Sequence, residues 1–163
     1  MKYWIIALFI CFGLSATAQR DTTPPYKKTP GWPPIMLTLL DKTQFTSKDL
    51  HNQPTIVMYF SPECPHCKAQ MDDMIRDYKE LDKYQIILAT YQPEEEIKSF
   101  STYYQLQRYD NITVGRDDKF LLPPFYRIRN LPYLALYDRK GNLVTTFEGN
   151  VKTSAMVKAF KSH

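Results

Sequence analysis

Residues 60–67 read Phe60-Ser61-Pro62-Glu63-Cys64-Pro65-His66-Cys67. Just upstream, Thr55-Ile56-Val57-Met58-Tyr59-Phe60 is β-branched and apolar without alternation, the pattern of a strand buried on both faces. Ser61-Pro62 ends it. Downstream, Cys67, Met71, Met74, Ile75, Tyr78 and Leu81 recur at helical spacing, which predicts a helix from Cys64 to about Leu81. The two cysteines therefore stand at a strand-to-helix junction, on one helical turn, where their sulfurs can close a small ring. Cys64 lies where unpaired backbone N–H groups and the helix dipole stabilise an anion, so its thiol is expected to ionise more readily than a free cysteine. Cys67 lies inside the turn and is shielded. An attacking thiolate beside a protected resolving thiol is what disulfide exchange needs. A static bridge is the weaker reading, because so small a loop constrains the unfolded chain little. Zinc would need further ligands, and His51 and His163 stand at no ligand-like spacing. Haem attachment would need His at position 68, which is Lys68. No metal and no separate cofactor is expected beyond a redox-active Cys64–Cys67 disulfide.

Strands and helices alternate on both sides of this junction. A strand is predicted over 35–40, a turn at Asp41-Lys42-Thr43, a short strand over 44–46 and a brief turn capped by Ser47 through Leu50. A second buried strand follows over 85–90. Pro93 opens a helix to about Tyr104, with Glu94, Glu95 and Glu96 favourably placed at the positive end of its dipole. Then come a short strand over 112–114, a short helix over 120–126 broken by Pro123-Pro124, and a strand over 133–137. Lys140-Gly141-Asn142 turns into a partner strand over 143–147, and a helix over 154–160 closes the chain. This order predicts an α/β fold, a central mixed β-sheet flanked by helices. With 163 residues, 44% apolar and 23% charged, the chain has the size and composition of one globular domain. A net charge of +4 without a dense Lys/Arg block gives no reason to expect nucleic acid as a partner.

The cysteine junction and the segment Tyr126-Arg127-Ile128-Arg129-Asn130-Leu131-Pro132-Tyr133-Leu134-Ala135-Leu136-Tyr137-Asp138 together resemble the thioredoxin superfamily. Within it, the chain resembles the exported thiol–disulfide oxidoreductases of the TlpA/ResA type. The likeness runs from about Leu39 to Phe160. Residues 39–46 look like that group's opening hairpin, and residues 94–114 like its extra central helix and strand. The resemblance implies a thioredoxin-like fold and a cis Leu131–Pro132 bond facing the cysteines, with the Leu131 backbone offered to an incoming peptide. It also implies partners, namely cysteine-containing exported proteins and an upstream redox protein. Departures are equally specific. Met58 stands where thioredoxins carry a buried acid, Glu63 where they carry tryptophan, and Asp72 where they often carry a kinking proline. The Pro65-His66 spacer is that of the oxidising DsbA-type proteins, and a His beside the thiolate favours the reduced form. Pro65, His66 and Glu63 are thus expected modulators, while scaffold and spacer point opposite ways on the direction of electron flow. A peroxiredoxin-like peroxidase is the first alternative: Ser61 fits its P-x-x-x-[ST]-x-x-C signature, but Val57 replaces the proline. A non-catalytic copper chaperone is the second, although such relatives use a spacer one residue longer.

The N-terminus reads as a targeting segment. Lys2 precedes an apolar run over 3–14, shorter than the about 20 residues that cross a bilayer, and Ala16-Thr17-Ala18 matches a cleavage site. Residues 1–18 are therefore expected to be a signal peptide, with no stable membrane span after cleavage. An uncleaved anchor is the alternative, and Ile10 is too bulky for Cys11 to be a lipidation site. Export would place the protein in the periplasm of a Gram-negative source, where disulfides persist. Residues 19–34 carry Pro24, Pro25, Pro30, Pro33 and Pro34 and are expected to form an extended, solvated arm that redox activity does not need, with docking of Trp32 on the domain the weaker reading. The thioredoxin-like domain is expected over 35–163.

Overall fold

The computed structural model describes residues 22–29, 31–50 and 52–162. The expected signal peptide, the start of the arm, Pro30, His51 and His163 lie outside the described residues. The elements are α1 (Pro25–Lys28), β1 (Met36–Leu39), β2 (Gln44–Thr46), β3 (Thr55–Tyr59), α2 (Pro65–Arg76), α3 (Tyr78–Leu81), β4 (Gln85–Thr90), α4 (Glu94–Tyr103), β5 (Ile112–Arg116), α5 (Leu122–Tyr126), β6 (Tyr133–Tyr137), β7 (Leu143–Glu148) and α6 (Thr153–Lys161). One seven-stranded sheet has the order β2-β1-β5-β4-β3-β6-β7. β3, β4 and β5 are parallel, and β6 runs antiparallel to β3 with Tyr59 opposite Tyr133. Consequently the chain leaves β3 and enters β6 at the same edge. That edge holds the cysteines and Pro132.

Every residue of β3, β4 and β6 is buried. Alternate residues serve two faces. Ile56, Met58, Ile86, Leu88, Leu134 and Leu136 pack with Cys67 and Met71 of α2, Phe100 of α4 and Met156 of α6. Val57, Tyr59, Ile87, Ala89, Tyr133 and Tyr137 pack on the other side with Leu122 and Tyr126 of α5.

Four local expectations are corrected. The long helix ends at Arg76 rather than continuing to Leu81, since Asp77 leaves helical geometry at φ −98°, ψ 21°. Beyond it Tyr78 donates to Asn111 Oδ1 at 2.6 Å, and Asn111 Nδ2 donates to the Leu81 and Tyr84 carbonyls. These bonds pull the chain into a separate turn. Next, Pro123 and Pro124 do not break α5 but begin it. Leu121 and Leu122 donate their N–H groups to the buried Asp117 carboxylate at 2.9 and 3.0 Å, and the prolines have no N–H to satisfy. The turn after β2 is capped by Thr46, which shares hydrogen bonds with Asp49, and not by Ser47.

The last correction concerns the arm. Residues 25–28 form a helical turn, Tyr26 lies 5.7 Å from the ring of Tyr126, and Trp32 lies 5.5 Å from that of Tyr137. Pro33 is buried. The sheet face under α5 is broad and apolar while α5 has only 5 residues. The arm covers what that helix leaves open, and burial of its aromatic rings outweighs its extended, solvated tendency.

Candidate active site

Cys64 is the N-cap residue of α2, with Pro65 in the first position, where a missing N–H costs nothing. Its backbone N–H donates to Ser61 O at 3.1 Å, and its carbonyl accepts from Lys68 N at 3.0 Å. These bonds hold the turn between β3 and α2 tightly. The Cys64 side chain is half-buried, whereas Cys67 is fully buried, and both are free thiols. Burial pushes the Cys67 thiol up to about 12; a hydrogen bond with the Ser61 backbone opposes this, and the neighbouring Cys64 side chain adds to it. Met58, fully buried in the same cluster as Cys67, supplies no proton acceptor there.

The remaining expected residues surround this pair. Pro65 and His66 are exposed on the first turn. Glu63 is also exposed and lies 3.5 Å from Lys68, an ion pair of small energetic weight. Leu131, like Cys64, packs against the cluster that contains Cys67, and Pro132 is buried, joined to Leu131 by a cis peptide bond. Because Tyr133 pairs with Tyr59, the Leu131-Pro132 loop lies across from Phe60-Ser61 at the mouth of the cysteine turn.

Sequence reasoning missed the residues that brace these two loops. After β7, residues 149–151 contact both of them. Gly149 N donates to Pro132 O at 2.8 Å, and Asn150 Nδ2 donates to His66 O at 2.7 Å. Gln70, fully buried on α2, binds the Val151 backbone through both its amide atoms. One sequence signal was present: Gln70 is a polar residue on the otherwise apolar stripe of Cys67, Met71 and Met74. A half-exposed pair of rings, Tyr91 after β4 and Phe120 after β5, stands at the same sheet edge with centroids 5.5 Å apart. Among the described residues no three His, Cys, Asp or Glu side chains gather as a metal site.

A Cys-x-x-Cys pair opening a helix beside a cis-Pro loop, on a seven-stranded mixed sheet with flanking helices, has the architecture of a thioredoxin-like fold. Residues 32–159 match the AhpC/TSA family, and the chain belongs to that family. An uncharacterized protein of Haemophilus influenzae is 25% identical over 155 residues, covering 93% of each chain. Among solved structures, a thiol:disulfide interchange protein of the thioredoxin family from Chlorobium tepidum superposes with a TM-score of 0.67 at 18% identity, covering 87% of this chain and 97% of that one. A secreted disulfide oxidoreductase of Mycobacterium tuberculosis, homologous to E. coli DsbE, superposes with a TM-score of 0.64 at 16% identity, covering 79% and 96%. At these identities the likeness is one of fold.

Proposed function

We propose that this protein is an exported thiol–disulfide oxidoreductase that exchanges disulfides with cysteine-containing partner proteins through Cys64 and Cys67. The observation that carries the reading is the unequal placement of the two thiols, Cys64 half-buried at the helix cap and Cys67 fully buried one turn on. In the reducing direction the Cys64 thiolate attacks a partner disulfide, forming a mixed disulfide and releasing one partner thiolate. Cys67 then loses its proton and attacks Cys64 Sγ. The products are a Cys64–Cys67 disulfide and a partner dithiol, with two electrons passed to the partner. The reverse sequence oxidises a partner.

Extended peptide from the partner lies along the Leu131 backbone next to Pro132, where a strand can be added. His66 and Glu63 tune the thiolate from the exposed side of the turn. The peroxidase alternative has less support, since Val57 sits in mid-strand between Ile87 and Ala135 rather than in a proline-opened loop.

The test is insulin reduction together with trapping of partners. Cys64→Ser should abolish exchange, and Cys67→Ser should accumulate mixed disulfides. Labelling of Cys67 before Cys64 by an alkylating agent at mildly acidic pH would reverse the assignment. The equilibrium potential against glutathione gives the direction: near −270 mV means a reductant and near −120 mV an oxidant.

A further inference from the structure

Beside the cysteine turn a groove of about 460 Å³ runs between α2 and α4. Glu63 and Asp72 line one wall, and Glu96, Phe100, Tyr103 and Tyr104 line the other. Its floor is aromatic and ordered. Tyr104 is pinned by Phe100 at 4.7 Å and donates its hydroxyl to Lys68 O and Asp72 Oδ1, both at 3.1 Å. Tyr103 stands edge-on to Tyr104 at 4.9 Å, yet is 75% exposed. Three carboxylates thus frame an open aromatic ring. The lining cation, Lys68, already pairs with Glu63, while Asp72 and Glu96 meet no cation among the described residues. This concentration of negative charge lies on a chain whose net charge is +4.

We infer that the groove receives a Lys or Arg side chain of the partner, so that the protein selects cysteines flanked by basic residues. The inference rests on the exchange activity proposed above and adds to it the chemistry of the partner. Glu63 directly precedes Cys64 and lines the groove, so the groove opens beside the attacking thiol, within reach of a long side chain flanking the partner cysteine. A cation there meets carboxylates and the exposed Tyr103 ring together, a pairing that favours Lys and Arg over neutral side chains.

The experiment uses the full reduced protein and cyclic peptides closed by one disulfide, with Lys, Gln or Glu flanking the cysteines, plus uncharged hydroxyethyl disulfide. Oxidation of Cys64 and Cys67 is followed by acid quench and alkylation, and each peptide rate is divided by its rate with dithiothreitol to remove intrinsic reactivity. The Lys peptide should react about fivefold faster than the Gln peptide, and the Glu peptide slowest. The Lys-to-Gln ratio should fall towards one in about 1 M salt, where screening acts within about 3 Å. It should also collapse in Glu96→Lys and in Tyr103→Ala, and persist in Glu80→Lys, which makes the same charge change on α3 outside the groove. Equal rates for all three peptides, or a ratio that survives both groove substitutions, overturn the inference while reduction of hydroxyethyl disulfide leaves the oxidoreductase reading standing. No reaction with hydroxyethyl disulfide or any peptide overturns both.

Discussion

Gln70 and Val151, 81 residues apart in sequence, exchange two hydrogen bonds: Gln70 Nε2 donates to Val151 O at 3.0 Å, and Val151 N donates to Gln70 Oε1 at 2.7 Å. The next residue back, Asn150, holds the His66 carbonyl, and Gly149 holds that of Pro132. One short segment therefore sets the spacing between the cysteine turn and the loop that faces it.

Gln70→Leu should strand a backbone donor and an acceptor in a buried place. The expected cost is about 2–6 kcal/mol, at about 1–3 kcal/mol for each unsatisfied group. Thermal unfolding reads the loss. Exchange with a protein disulfide should slow more than exchange with a small one, because the facing loops lose their spacing. Asn150→Ala, at an exposed bond, should cost no more than about 1 kcal/mol.

Resolution of the mixed disulfide requires the Cys67 thiolate, and burial holds that thiol at about 12. In the mixed disulfide Cys64 no longer adds to that shift, but burial, its largest cause, persists, so between pH 7 and 9 the thiolate fraction, and with it the resolution rate, should keep rising with pH. Stopped-flow measurement of mixed-disulfide decay checks this; a rate that levels off below pH 8 contradicts it.

The same thiol bears on stability. Its folded value is raised above its ordinary value of 9, so from about pH 9 to 12 the unfolded chain releases a proton that the folded chain keeps. Stability of the reduced protein is therefore full below pH 9 and declines above it. Burial raises Tyr59, Tyr126, Tyr133 and Tyr137 as well, which adds losses of the same sign at higher pH. The oxidised protein has no Cys67 thiol and should lose less. Urea unfolding of both forms at pH 8 and pH 10 measures the difference.

The arm should be needed for stability. Trp32→Ala removes a ring packed on Tyr137 and should cost about 2–3 kcal/mol. Gly141→Ala tests the same contact from beneath. Gly141 has φ +84°, and a Cβ there would fall 2.8 Å from the Trp32 indole, so backbone strain and collision combine. Both substitutions, and a chain beginning at Pro34, should lower the melting temperature; an unchanged melting temperature in all three contradicts the packing.

Asp117→Ala should loosen α5 by leaving the N–H groups of Leu121 and Leu122 without partners, at about 2 kcal/mol. Asp117→Asn, which keeps an acceptor oxygen, should restore part of this.

The sequence by itself determined the alternation of elements, because uninterrupted apolar runs such as Thr55–Tyr59 and the stripe of Cys67, Met71 and Met74 are local patterns with distinct periods. It also located Cys64 and Cys67 at a strand-to-helix junction, since both belong to one eight-residue stretch. Tertiary structure alone decided the rest. Asn111 ends the turn after α2, and residues 149–151 join Pro132 to His66, all through polar bonds between segments distant in sequence. Such bonds leave no periodic trace. The arm shows the same limit: its prolines favour an extended solvated chain, and only the broad aromatic face under the short α5 makes burial of Tyr26 and Trp32 the stronger term.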